Sequence, residues 1–232
     1  MSRKSDALPQ GEAKAQAVRT MFDAIAPRYD LVNRIMTFRL DVRWRRRTIR
    51  ELALPSQSTV LDLACGTGDF CRELKNKGLR PIGVDFSWGM LAAARTDVPL
   101  VQGDALRLPV RDRSADGVTC GFALRNFVDL PPFFAELGRV VRPGGRIALL
   151  EVSQPRNRLV RAGHGVYFGK VVPLIGRALS DGSAYRYLPK SVAYLPEVSH
   201  MLHMIESAGF HDVRRLTLSG GITQLIVGRR ND

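Results

Sequence analysis

Apolar positions along the chain change period, and the changes mark out its segments. Between residues 15 and 50, Val18, Met21, Phe22 and Ile25 recur at three- and four-residue steps, the signature of one helix face. Pro27 interrupts that run, because it has no amide hydrogen and its ring crowds the preceding turn. A second helical stretch carries Ile35, Met36, Phe38 and Leu40 into Val42 and Trp44. Arg43, Arg45, Arg46 and Arg47 surround Trp44, as on an amphipathic surface helix. Residues 1–14 are polar and aperiodic, as a mobile chain end is.

From residue 59 the pattern becomes short apolar runs alternating with helical stretches. Strands are expected at 59–63, 81–84, 100–101, 117–120 and 146–152, with helices at 69–77, 89–95 and 131–141. Gly78 should cap the first of these helices, and Arg142-Pro143-Gly144-Gly145 should turn the chain after the last. Ile147 to Leu150 are uninterrupted apolar residues, which suits a parallel strand buried on both faces. Residues 153–195 are too long for a simple strand-to-helix connection and read as an insertion. A helix at 198–208 ends at Gly209, and strands follow at 213–218 and 222–227. Their link, Ser219-Gly220-Gly221, is too short for a parallel crossover and demands an antiparallel hairpin. The pattern therefore predicts an α/β fold, a doubly wound and mostly parallel seven-stranded sheet with an antiparallel last strand. One domain spans 1–232: a helical cap (1–50), a core (51–152), a covering insertion (153–195) and a C-terminal helix and hairpin (196–232).

Composition adds compartment and charge. No apolar run approaches the ~20 residues of a membrane span, and the N-terminus lacks the apolar core of a signal peptide. Cys65, Cys71 and Cys120 show no paired or metal-ligand spacing, so a reducing, cytoplasmic setting without a bound metal is expected. The net charge of +13 is unevenly placed. Residues 1–50 hold 12 Lys/Arg against 5 Asp/Glu, and residues 156–190 hold 7 against 1, while the remainder sums to zero. Two basic segments on one face would meet something anionic, a nucleic acid or a lipid surface.

The ends of the parallel strands carry the candidate chemistry, because open α/β sheets bind ligands there. After the first strand comes Cys65-Gly66-Thr67-Gly68-Asp69, whose glycines permit a tight turn and close approach of a ligand. A dinucleotide fingerprint wants a third glycine where Cys71 stands. Asp62, just before this loop, suits the cationic amino-acid end of S-adenosylmethionine better than a pyrophosphate. Asp85, 17 residues beyond Gly68, can accept both ribose hydroxyls, with helix capping as its competing duty. Asp104, in Gly103-Asp104-Ala105, can accept from the adenine amino group. Ala123-Leu124-Arg125-Asn126 should lie near the reacting methyl. Together these features point to S-adenosylmethionine as cofactor.

Several segments resemble the UbiE/MenG-type quinone C-methyltransferases. They are Phe22-Asp23-Ala24-Ile25-Ala26-Pro27-Arg28-Tyr29-Asp30-Leu31-Val32-Asn33, Phe122-Ala123-Leu124-Arg125-Asn126, the run from Arg139 to Arg146, and Leu150-Glu151-Val152-Ser153. Ser183-Ala184-Tyr185-Arg186-Tyr187-Leu188 with Ser191, and the stretch from Leu216 to Ile222, resemble the same family. The resemblance covers about residues 15–228 and implies a Rossmann-like class I methyltransferase. It implies methylation of a ring carbon on a polyprenylated demethylmenaquinol or a related ubiquinone precursor. The family's cofactor positions fall on Thr67, Asp85, Asp104, Ala105 and Gly121. Three positions depart from the family: Gly121 replaces a usual serine, Lys190 a glutamate and Ile226 a histidine.

An aromatic carbon becomes nucleophilic when the neighbouring hydroxyl loses its proton, so the enzyme needs a cation or donor at that oxygen. Arg125 offers charge, Asn126 offers donors, and Tyr29 could orient the ring hydroxyl. Their competing readings are an ordinary ion pair for Arg125 and plain packing for Tyr29. No residue is an obvious general base, since His164, His200, His203 and His211 lie outside these loops. A polyprenyl quinol lives in the bilayer, which makes peripheral contact with an anionic membrane surface the use of the basic segments. Trp44, Tyr167 and Phe168 sit among those basic residues, and residues 166–179 are apolar enough to line a greasy groove. A nucleic-acid methyltransferase would also use the charge, but the strand-four sequence lacks the Asn-Pro-Pro-aromatic element and there is no Pro-Cys pair. A diverged small-phenol methyltransferase remains the rival acceptor reading.

Overall fold

The computed structural model describes residues 10–172, 174, 187 and 191–232. Expectations placed on Ser183, Ala184, Tyr185, Arg186, Leu188 and Lys190, and on residues 173 and 175–179 of the groove, lie outside the described residues.

The cap opens with α1 (Gly11–Ile25), a short 3-10 turn at Ala26–Arg28, and α2 (Tyr29–Met36). Pro27 sits in the 3-10 turn, as its missing amide hydrogen requires. The sequence did not foretell a second break, at Phe38 and Arg39, both in the left-handed region. Asp41 secures it by accepting from Thr37 Oγ1 at 2.6 Å and pairing with Arg45 Nη2 at 2.8 Å. The next helix, α3 (Leu40–Leu52), corrects one expectation. Trp44 is buried rather than interfacial: its ring lies 6.0 Å from that of Phe122, and its Nε1 donates to Ser219 Oγ at 2.8 Å.

Strand and helix then alternate: β1 (Thr59–Leu63), α4 (Asp69–Asn76), β2 (Arg80–Asp85), α5 (Trp88–Ala92), β3 (Leu100–Gln102) and β4 (Ala115–Gly121). After a 3-10 turn at Leu124–Asn126 come α6 (Leu130–Val140) and β5 (Val141–Val152). The insertion contributes α7 (Arg158–Val166), a π turn at Tyr167–Val171 and a 3-10 turn at Val192–Tyr194. The chain closes with α8 (Val198–Ser207), β6 (Phe210–Leu218) and β7 (Thr223–Arg230).

Strand order is β3-β2-β1-β4-β5-β7-β6. Pairing is parallel from β3 through β5, and β7 runs antiparallel to both β5 and β6. The expected seven-stranded sheet with its reversed last strand is therefore present. Both faces are buried, and side-chain alternation sorts them. Leu61 and Leu63 of β1 and Ile147 and Leu149 of β5 pack with α6 and α8. Val60, Ala148 and Leu150 face the opposite way, onto α3 and α4. Alternation with a period of two gives each strand two apolar faces, which explains the unbroken run at Ile147 to Leu150.

Two local expectations change. The helix expected over 89–95 stops at Ala92, because the Arg95 amide donates instead to the Thr67 carbonyl at 3.3 Å. The turn expected over 142–145 is an irregular start to β5: Ala115 pairs with Val141, but Gly117 already pairs with Arg146. Gly144 takes a positive φ of 72° there, and Arg142 holds the bulge by donating to Asp116 at 2.6 Å.

Candidate active site

The order of strands reverses between β1 and β4, the place where an open α/β sheet leaves a crevice at its C-terminal edge. An open cleft of about 870 Å³, counted out into the solvent at its mouth, occupies it. Its floor is made by the chain just after β1, β2, β3 and β4. Its roof is the inner face of α1, with Val18 and Phe22, joined by Tyr29 of α2.

Asp85 organises the floor. Its Oδ2 accepts the Gly66 amide at 2.7 Å, and its Oδ1 accepts the Ser87 amide at 2.8 Å. Gly66 is left-handed (φ 57°), a shape glycine adopts without penalty, so the loop can bend back onto that carboxylate. Burial raises the Asp85 carboxyl pKa above its ordinary value, while the two backbone donors pull it back. The end of β3 is stitched to the same corner, since the Gly103 amide donates to the Asp85 carbonyl at 3.0 Å. Asp104 then turns the chain by accepting the Leu106 amide at 2.9 Å. Asp85 therefore performs capping of the following turn and lines the cleft as well.

The roof is fastened by polar contacts. Asp23 Oδ1 accepts from Ser87 Oγ at 2.6 Å and from the Gly89 amide at 2.9 Å. Lys14 Nζ donates to the Phe127 carbonyl at 2.6 Å and stands 3.6 Å above the Tyr194 ring. Burial lowers the Lys14 pKa to about 8. Thr67 Oγ1 donates to Asp30 Oδ1 at 2.5 Å, joining the glycine loop to α2.

Of the residues singled out from sequence, Tyr29, Gly66, Asp85, Asp104, Ala105, Gly121 and Asn126 line this one cleft. Four others surround it without lining it. Gly68 precedes α4 in a left-handed conformation (φ 83°). Thr67 is buried beneath Asp30. Asp62 is sealed under the loop, 1% exposed, accepting from Thr119 Oγ1 at 2.8 Å and Cys71 Sγ at 3.4 Å. Burial pushes its carboxyl up to about 7. Arg125 is turned into the core, where it pairs with Glu151 and donates through Nε to Ser191 Oγ at 3.1 Å. Its ion-pair reading is thus the geometry the structure shows. Tyr29 contacts Phe22 edge to face at 6.0 Å, and its Cε1 lies 3.9 Å from where a Cβ on Gly66 would be.

Sequence reasoning passed over Lys14, Asp23 and Glu151. A carboxylate directly after four apolar strand residues was the one available signal for Glu151. Lys14 and Asp23 sit on an ordinary amphipathic helix, and only the fold gives them partners. Ile226 is fully buried in β7 opposite Leu149.

The cleft chemistry fits S-adenosylmethionine. A phosphate would need the loop amides, but that of Gly66 is already given to Asp85. The floor instead offers two carboxylates, Asp85 and Asp104, suited to hydroxyl and amino donors. The space beside Gly121 is filled by the Phe70 ring, whose Cε2 would stand 2.6 Å from a Cβ added there.

Residues 10–230 match the ubiE/COQ5 methyltransferase family. The demethylmenaquinone methyltransferase of Roseiflexus sp. (strain RS-1) is 44% identical over 89% of this chain and 90% of its own. That of Deinococcus radiodurans is 43% identical over 93% of each. The ubiquinone/menaquinone biosynthesis C-methyltransferase UbiE of Syntrophotalea carbinolica is 41% identical over 93% of this chain and 95% of its own. Among solved structures, a SAM-dependent methyltransferase of Thermotoga maritima shares the fold at a TM-score of 0.66 and 17% identity, over 92% of this chain and 100% of its own. The chain is an S-adenosylmethionine-dependent methyltransferase and belongs to the ubiE/COQ5 methyltransferase family.

Proposed function

We propose that this enzyme methylates a ring carbon of a polyprenylated demethylmenaquinol, giving menaquinol. The observation that carries the reading is a cleft with carboxylates at one end and apolar walls, from Val18, Phe22, Met90 and Phe127, around Tyr29 and Asn126. Its similarity to demethylmenaquinone methyltransferases over about nine-tenths of the chain supports the same acceptor.

S-adenosylmethionine supplies an electrophilic methyl group when bound. Asp85 would hold its ribose hydroxyls and Asp104 its adenine amino group, with Ala105 and Gly121 bounding the base and Gly66 admitting the chain end. Asp62, Thr67 and Gly68 shape that loop from behind. Asn126 and Tyr29 address the quinol. An ionised ring hydroxyl raises electron density on the adjacent carbon, and a donor at that oxygen stabilises the anion. Burial raises the Tyr29 phenol pKa, so it stays protonated and donates near neutrality. Arg125 contributes through the turn it shares with Asn126. The apolar roof excludes water from the reacting pair.

The quinol's prenyl tail brings the enzyme to an anionic membrane surface at the cytoplasmic face. Leu31, Ile35 and Phe38 of the cap are exposed, as are Leu159, Val166 and Leu174 of the insertion. The two groups adjoin: the Phe38 ring lies 5.8 Å from Tyr167, whose hydroxyl donates to the Met36 carbonyl at 2.8 Å. Exposed Arg34, Arg39, Arg158, Arg161 and Lys170 sit among them. No helix of the described residues is long and apolar enough to span a bilayer. The arrangement suits a peripheral contact.

The test is methyl incorporation from labelled cofactor into demethylmenaquinol and, in parallel, its ubiquinone-pathway counterpart. Demethylmenaquinol should be the better acceptor, and Asn126→Ala should reduce its turnover about 100-fold. Absence of labelling in demethylmenaquinol, or full activity in Asn126→Ala, contradicts the reading. Co-sedimentation with anionic vesicles at low salt tests the membrane contact.

A further inference from the structure

Glu151 ends the apolar run of β5 and is completely buried. A carboxylate there must be satisfied by donors, because an unpaired charge in a protein interior is strongly disfavoured. Three donors converge on it. Oε1 accepts from Arg125 Nη1 and from the Val152 amide at 2.8 Å, and Oε2 accepts the Arg125 amide at 3.2 Å. Glu151 thus grips Arg125 by both side chain and backbone.

The grip has a geometric result. Arg125 and Asn126 are adjacent in one 3-10 turn, yet Arg125 is held in the core while Asn126 lines the cleft. Rotating the guanidinium into the cleft would strand Glu151. The same guanidinium reaches Ser191 Oγ at 3.1 Å, and Tyr187 Oη donates to Asn126 Oδ1 at 3.4 Å. Both residues belong to the end of the insertion, so one turn is fixed by β5 from below and by the insertion alongside.

We propose that Glu151 is a positioning residue for methyl transfer: its buried pair with Arg125 sets the turn that presents Asn126 to the acceptor. Ser191 ties that setting to the C-terminal end of the insertion through its bond to the Arg125 guanidinium. The proposal rests on the quinol reading of the acceptor end. It makes Arg125 a part of the frame whose effect on catalysis passes through Asn126.

The test is a double-mutant cycle on the full chain, using Glu151→Gln, Arg125→Gln, the double variant and Ser191→Ala. Steady-state kinetics with demethylmenaquinol are read beside S-adenosylmethionine affinity by calorimetry. Each of the first two substitutions should lower kcat about 10- to 100-fold, and the double variant should be no worse than the worse single one. Cofactor affinity should stay within about twofold of wild type, and Ser191→Ala should raise the acceptor KM about fivefold with little change in kcat. Multiplied losses in the double variant overturn the proposal, because Arg125 would then act independently of Glu151. A folded Glu151→Gln with wild-type kcat overturns it too. If Glu151→Gln loses its cooperative melting transition, Ser191→Ala decides: unchanged KM and kcat refute the coupling. A wild type inactive on every quinol sinks the acceptor reading instead. The coupling is then read from amide hydrogen exchange at 192–195, which Ser191→Ala should speed about tenfold and whose constancy would refute it.

Discussion

The two ends of the cleft are wired differently. At the cofactor end, Asp85 bonds the amides of Gly66 and Ser87, and Asp104 bonds that of Leu106. These partners are backbone groups on the same or the adjoining strand end. At the acceptor end, Lys14 bonds Phe127, Arg125 bonds Glu151 and Ser191, and Tyr187 bonds Asn126. Those partners are side chains or carbonyls from remote segments. A site made of local backbone turns can keep its shape whatever covers it. One made of long-range contacts exists only when cap, core and insertion are all docked, which suits an acceptor that must enter from outside and be enclosed.

The sharpest way to break the comparison is to leave one buried charge alone. Arg125→Ala strands Glu151, and losing one partner of a buried pair should cost about 3–5 kcal/mol of stability. Denaturant unfolding would measure it, with S-adenosylmethionine affinity retained at temperatures where the variant is folded. A loss under about 1 kcal/mol would mean the pair is not the keystone of the acceptor end. Asp62 offers the next largest effect and sits at the cofactor end. Its folded pKa of about 7 lies above the unfolded value. The folded state therefore holds the proton more tightly, and this contribution is present at low pH and lost as pH rises from about 4 through 7. Asp62→Asn should remove that slope and gain on the order of 3 kcal/mol relative to wild type at pH 8. A parallel pair of stability curves from pH 4 to 8 would show that burial does not penalise this carboxylate.

The same contrast explains what the sequence reveals. Alternating runs, the glycine turn and Asp85 and Asp104 are local signals, and each finds its expected place at the sheet ends. The buried face of Trp44 was hidden, because four arginines beside it imitate a surface helix while Ser219 and Phe122, its partners, are far away in the chain. Arg125 was misleading for a related reason. A sequence shows a cation next to Asn126 but not the carboxylate 26 residues on that turns it inward. Phe38 and Arg39, with positive φ, break a helix without a glycine or proline to announce it.

Two smaller effects sharpen the contrast. Gly121→Ser would add a side chain where the Phe70 ring already occupies the space. Overpacking should cost about 2 kcal/mol in thermal unfolding, and Phe70→Leu in the same chain should recover most of it. The last prediction concerns a bond that joins the two ends directly. Thr67 lies in the glycine loop, and its hydroxyl donates to Asp30 of the cap. Thr67→Val keeps the side-chain shape and removes the donor, so the loop should hold its conformation through Asp85. The expected cost is about 1 kcal/mol, the usual net worth of such a bond. If the cofactor end is locally built, S-adenosylmethionine affinity should fall no more than about threefold. Acceptor KM should rise further than that, because α2 carries Tyr29 next to Asp30. Equal losses in both affinities would show that the loop leans on the cap after all, and that the two ends are one structure.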